Sequence, residues 1–150
     1  MEYAFLSAEN IDAYIMYLKR AMQDEPEKML AERVDEEALR ERLEDPFYGS
    51  KRSILAMQDG EAVGRIEYHF YGCLQDGYRM AYVDWVYVLR EYRRRGIARG
   101  LFCEFEKDCV RNRIDQYYLI RATSGEAERF YAGFEGVQMG EEPLLRKNMG

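Results

Sequence analysis

The sequence predicts an α/β (α+β) fold, a mixed, twisted β-sheet flanked by helices, and three observations carry that prediction. Between residues 51 and 89, three runs rich in β-branched and aromatic residues follow one another across short turn signals, so they pair antiparallel in chain order. A full amphipathic helix then separates the last of them from "QYYLIRA", a spacing that suits a parallel neighbour. The length, 150 residues, is that of one ordinary domain with a sizeable core.

The elements follow in order. "EYAFL" reads as a short first strand, and Ser7 or Asn10 can cap a helix whose apolar positions Ile11, Ile15, Leu18 and Met22 recur at helical spacing. The polar stretch "QDEPEK" interrupts it. Asp35 is placed as N-cap of a second helix, with Glu36 and Glu37 in the first turn, where orphan amides favour negative charge. Val34 is set to staple against Leu39, and Pro46 is the stop signal. A hairpin comes next: a strand from Ser53 to Met57, an Asp59-Gly60 turn, and a strand from Ala62 towards Tyr71. "LQDGY" is a further turn before the strand "RMAYVDWVYVL". Ile97, Leu101, Phe105 and Cys109, with Ala98 and Phe102 beside them, mark one face of a helix to about Arg111. A strand from Gln116 through Ala122, a short helix closed by Gly133, and a final strand pair at "VQM" and "LLRKNM" complete the chain. No linker, internal repeat or low-complexity segment interrupts it, so residues 1–150 read as a single domain.

Charge narrows the function classes. The formal net charge is -6, with 6 basic and 13 acidic side chains in residues 1–50 but 8 basic and 4 acidic in residues 90–113. Positive charge confined to one turn does not make the broad basic face of a duplex binder. The acidic first third favours a cationic small molecule or a basic peptide end over an anionic acceptor. Cys73, Cys103 and Cys109 have no metal-ligand spacing and cannot all pair, no signal segment opens the chain, and no apolar run approaches membrane-spanning length. A cytoplasmic, reducing location with no metal and no membrane partner is expected; monomer and homodimer both remain open.

The chemistry concentrates in "VYVLREYRRRGIARGLF". A strand hands over to a helix there, and the first helical amides point outward without intrahelical partners, with partial positive charge from the macrodipole. Gly96 allows close backbone approach, Ala98 keeps the helix start unobstructed, and Arg93, Arg94 and Arg95 raise the local potential. Either a solvated basic loop or a diphosphate site fits these residues. The dinucleotide and P-loop patterns are both absent.

The tract "VLREYRRRGIA" resembles the acyl-CoA-binding signature of the GNAT N-acetyltransferase family, with Arg93, Gly96 and Ala98 at its fixed positions. The resemblance implies a sheet splayed between the fourth and fifth strands and acetyl-CoA as acyl donor. It also implies that the backbone of Arg94, Arg95, Gly96, Ile97 and Ala98 holds the pyrophosphate, and that Val86 and Val88 lie along the pantetheine arm. "IRATSGEAERFYAG" is similar to the family's second cofactor element: Ala127, Phe130 and Tyr131 match, Ser124 stands where Asn is usual, and Gly136-Val137 takes the place of the closing Gly-Phe.

Acyl transfer from a thioester to an amine needs a neutral nucleophile, a donor for the developing oxyanion and a proton for the departing thiolate. By the same resemblance the donor is the amide of Tyr87 or Val88, and Tyr131 gives the proton unless it is only a core ring. Asp84 breaks an otherwise apolar, aromatic strand and is the leading residue for receiving the amine, as base or as anchor. His69, the one histidine, fits a base or a satisfied sheet residue, and Glu67 is a further substrate contact. The function expected is an N-acetyltransferase acting on a primary amine of a small molecule or peptide. A non-catalytic acyl-CoA sensor of the same fold, or an anion- or nucleotide-binding domain of another class, are the alternatives.

Overall fold

Strands form where the β-branched and aromatic runs lie. In the computed structural model, which describes residues 1–29 and 31–150, β1 (Glu2–Phe5) pairs antiparallel with β2 (Lys51–Gln58), β2 with β3 (Glu61–Gly72), and β3 with β4 (Arg79–Val88). The β2–β3 turn holds Asp59 and Gly60 at φ 51° and 80°, the pair of left-handed residues that a two-residue hairpin requires. β5 (Gln116–Tyr118) joins β4 in parallel, so the five strands lie in the order β1-β2-β3-β4-β5. This is the mixed, helix-flanked α/β sheet expected.

The splay has a local cause. Glu67 pairs with Trp85 but Tyr68 pairs with Val83, so Asp84 is the extra residue of a β-bulge. The β4–β5 ladder runs only from Met80↔Gln116 to Tyr82↔Tyr118 and stops just before that bulge. From Val83 onward β4 has no strand neighbour on its β5 side among the described residues.

Two helices cover the sheet. α1 (Ile11–Asp24) lays Ile11, Tyr14, Ile15, Tyr17 and Ala21 against Leu55, Ala62, Tyr87 and Leu89. Asn10 does not cap it; its Oδ1 accepts from the Ser7 amide at 2.8 Å and its Nδ2 donates to the Phe5 carbonyl at 2.9 Å, which ties the helix start to β1. α2 (Glu36–Glu44) is capped as expected by Asp35, whose Oδ1 accepts from Ala38 N at 3.1 Å. Arg40–Asp12 and Lys19–Glu36 ion pairs fasten it to α1. α3 (Ile97–Arg111) packs on the opposite face, where a methyl added at Gly64 would stand 3.3 Å from both Ile97 and Val88. Phe105 fills the space between Tyr68 and Tyr117, at ring separations of 4.6 and 4.9 Å.

The chain divides into two units, Met1–Leu119 and Ile120–Gly150. The second holds α4 (Gly125–Ala132), ended by Gly133. Two expectations fail in the C-terminal part. The strand expected through Ala122 stops at Tyr118, because β4 bulges away and offers no further ladder. The final strands at "VQM" and "LLRKNM" do not form.

Candidate active site

The β4–α3 connection begins with the register. Leu89 N donates to Val63 O at 2.9 Å, and Val88 lies opposite Gly64. Backbone groups alternate in direction along a strand, so Tyr87 turns its amide towards β3 while Val88 turns its amide towards the open side. Of the two oxyanion donors expected from the sequence, Val88 is the one the backbone direction favours. A 3₁₀ turn at Arg90–Tyr92 follows, then Arg94 at φ 62° and Gly96 at φ 79° immediately before α3. Gly96 brings no side-chain cap, so the amides of Ile97 and Ala98 point outward from the helix start.

The three arginines divide their work. Arg94 and Arg95 are exposed, and Arg95 lies over the Tyr92 ring at 5.3 Å. Arg93 turns inward: Nε donates to Val88 O at 3.0 Å, Nη1 meets Glu25 Oε1 at 2.9 Å, and the guanidinium lies 5.0 Å from the Tyr87 ring centre. Arg93 thus ties the turn to β4 and to the end of α1. Glu25 is 5% exposed. Burial alone would raise its carboxyl, but hydrogen bonds from Lys28 and Arg93 and their charges hold it below the usual carboxylate range. Asp24 adds a second tie by accepting from Arg90 N at 3.0 Å. The acid at the end of α1 thus anchors the basic turn.

On the α1 side of the sheet, three adjacent strands bring together Lys51, His69 and Asp84. Lys51 lies opposite His69 in register, and His69 opposite Tyr82. Asp84 Oδ2 is 2.9 Å from His69 Nδ1, Asp84 Oδ1 is 2.8 Å from Lys51 Nζ, and Lys51 Nζ is 3.3 Å from His69 Nδ1. The cluster is partly open, with side-chain exposures of 21%, 28% and 36% for Asp84, His69 and Lys51. Rings of Tyr71 and Tyr82 stand 6.0 and 5.8 Å from His69. Glu67 does not join the cluster; it lies 3.7 Å from Nη1 of the buried Arg65, which also meets the Tyr14 hydroxyl at 3.2 Å. Sequence reasoning found Asp84 and His69 but missed Lys51, whose only signal is a strand register that no local pattern reveals.

In the second unit, Ser124 caps α4, its hydroxyl accepting from Ala127 N at 3.2 Å. Phe130, Tyr131 and Phe134 form a ring cluster with centroids 5.0 to 6.0 Å apart. Burial pushes the Tyr131 hydroxyl up from its ordinary value, so it is protonated, a donor, at neutral pH. Gly133 takes φ -76° but Gly136 takes φ 73°, so of the two closing glycines Gly136 is the one whose backbone favours glycine.

Cys109 is buried, and burial raises its thiol to about 12, with Asp108 and Glu106 adding to the shift. Cys103 is exposed. Among the described residues no group of three or more His, Cys, Asp or Glu could hold a metal, and no helix is long and apolar enough to cross a membrane.

The same fold recurs in solved acetyltransferase structures. A ribosomal-protein-alanine N-acetyltransferase from Brucella melitensis biovar Abortus 2308 superposes with TM-score 0.74 at 18% identity, over 98% of this chain and 99% of that one. The aminoglycoside acetyltransferase meta-AAC0020 from an uncultured soil metagenomic sample, in complex with sisomicin, gives 0.82 at 13% identity, over 99% and 96%. The aminoglycoside N-acetyltransferase AAC(6')-Iy in complex with CoA gives 0.68 at 14%, over 98% and 99%. No curated protein sequence matches. A family model described as an acetyltransferase (GNAT) domain matches residues 17–144, and the chain belongs to that family.

Proposed function

We propose that residues 1–150 act as one acetyl-CoA-dependent N-acetyltransferase domain that modifies a primary amine of a small molecule or peptide by direct attack. The observation that carries this reading is the open edge of β4, which runs from the Asp84 bulge at one end to the uncapped start of α3 at the other. The family match spans both units of the chain and supports a single working domain.

The residues fit the donor. The left-handed backbone at Arg94 and Gly96 and the outward amides of Ile97 and Ala98 form an anion cradle, with Arg94 and Arg95 exposed beside it. Val86 and Val88 line the open edge for the pantetheine arm, and Ser124, Ala127 and Phe130 supply the second element. When bound, acetyl-CoA supplies the activated thioester. The Val88 amide offers a donor for the acyl oxygen, and Tyr131 donates a proton to the sulfur. The amine enters at the Asp84 cluster, beside the rings of Tyr71 and Tyr82. Acceptors with basic character and a cytoplasmic setting follow from this reading.

Calorimetric titration with acetyl-CoA, followed by thiol assay against an amine panel, tests it. Binding with amine-dependent thiol release is the expected result. Binding without release selects a sensor, and absence of binding removes the donor site.

A further inference from the structure

Both oxygens of Asp84 already have partners, Lys51 on Oδ1 and His69 on Oδ2, which leaves the carboxylate poorly placed to take a proton from an incoming amine. Two groups reach Nδ1 of His69: Asp84 Oδ2 at 2.9 Å, which as an ionised carboxylate only accepts, and Lys51 Nζ at 3.3 Å, which only donates; the carboxylate is closer and the ammonium is already held by Asp84 Oδ1 at 2.8 Å, so the geometry favours the hydrogen on Nδ1. The neutral ring then has its free lone pair on Nε2. That nitrogen has no hydrogen-bond partner among the described residues, and the ring is 28% exposed.

We propose that His69 is the catalytic residue that takes the acceptor amine's proton, through Nε2, and that Asp84 and Lys51 are positioning residues that hold its Nδ1–H form. This rests on the acetyltransferase reading. Asp84 fixes tautomer and ring orientation, as a carboxylate behind an imidazole does in hydrolytic triads. Lys51 holds the other carboxylate oxygen and offsets its charge. The bulge makes the contact possible: it sets Asp84 as the unpaired residue beside Tyr82, the register partner of His69, at the point where β4 and β5 part.

The step balances. The neutral amine nitrogen bonds to the acyl carbon and its proton passes to Nε2. The carbon–sulfur bond breaks with its electron pair on sulfur, and the sulfur takes the Tyr131 proton. The imidazolium then releases one proton to solvent, and the phenolate recovers one from solvent.

Because His69 is the only histidine, the two ¹⁵N signals of one labelled imidazole in the untagged protein report the tautomer without any substrate. The expected result is a protonated Nδ1 and a bare Nε2 in the neutral ring, with Asp84→Asn moving the population towards Nε2–H. A neutral ring protonated mainly on Nε2 in the parent overturns the proposal. In kinetics, His69→Ala should lose about 100-fold in turnover while acetyl-CoA affinity stays within about twofold. Added imidazole should restore turnover at least about tenfold in His69→Ala and not in Asp84→Asn, where the ring still fills its place. A folded His69→Ala variant as fast as the parent, or one that imidazole does not rescue, overturns the proposal. A parent that binds acetyl-CoA but releases no thiol with any amine removes the acetyltransferase reading and the proton step with it, while the tautomer signal still reports the His69–Asp84 pairing.

Discussion

Asp84 and Asp108 both interrupt stretches rich in apolar residues, "AYVDWVYV" and "FCEFEKDCV", and they finish in opposite conditions. Asp108, on the inner face of α3, is 1% exposed. It accepts from Arg52 Nε at 2.6 Å, from Arg52 Nη2 at 3.0 Å and from the Tyr68 hydroxyl at 2.6 Å. Burial by itself would raise its carboxyl; the Arg52 and Tyr68 hydrogen bonds and the Arg52 charge outweigh that and hold it below the usual carboxylate range. Asp84 has two partners, one of them a histidine with an unbonded nitrogen, and the cluster is open to solvent. A carboxylate whose lone pairs are filled from inside the protein can hold a helix on a sheet. One whose partners lead outward can take part in chemistry.

The largest expected effect comes from Asp108. Asp108→Ala leaves the buried Tyr68 hydroxyl and the Arg52 guanidinium without their acceptor, and should cost roughly 3 kcal/mol in urea unfolding, with little change in turnover of the folded fraction. The pH dependence has a definite sign. The folded carboxyl ionises more readily than the unfolded one, so its stabilisation is present above about pH 4 and is lost as pH falls through the depressed folded value. Asp108→Asn should flatten that acid limb of the stability profile. An unchanged limb would show that the Arg52 and Tyr68 contacts do not favour the ionised Asp108 carboxyl.

Tyr131 comes next. If it protonates the sulfur, Tyr131→Phe should lower turnover by about 10- to 1000-fold with cofactor affinity nearly unchanged, because the lost contact belongs to the transition state. A variant as fast as the parent when chemistry limits the rate would leave Tyr131 as one ring of its aromatic cluster.

A smaller effect is expected at the anion cradle. Gly96 takes φ 79°, which a β-branched residue adopts only under strain, so Gly96→Val should weaken acetyl-CoA binding by about tenfold and leave the acceptor's KM near the parent value. The smallest is the stability change of Asp84→Asn, under about 1 kcal/mol, since the ion pairs it removes are partly solvated. A loss as large as that of Asp108→Ala would erase the distinction between the two aspartates.

What was legible in the sequence follows the range of the forces involved. The Asp59-Gly60 hairpin and the Asp35 cap depend on residues two or three positions apart and were readable. So was α3, whose apolar face recurs every turn. Asp108 and Lys51 were not, because each acquires its meaning from a strand distant in the chain. The Arg93–Glu25 pair was hidden for a related reason: a positive residue in a basic turn suggests a phosphate, and only the fold reveals Glu25 beneath it. The bulge at Asp84 lay beyond any pattern argument, since an alternating strand reads the same until its partner's register is known.

The unpartnered stretch of β4 carries a hazard of its own. A strand with a free flank is a template for another chain, and open flanks are where sheets recruit neighbours into aggregates. Here the exposed run is closed at both ends, by the bulge at Asp84 and by the Arg93 Nε seated on the Val88 carbonyl. A foreign strand would find a kinked entry, an occupied acceptor at the exit, and only a few residues of regular ladder between them. The clamp that shapes the basic turn therefore also caps the open flank, and limits the ladder that another strand could form there.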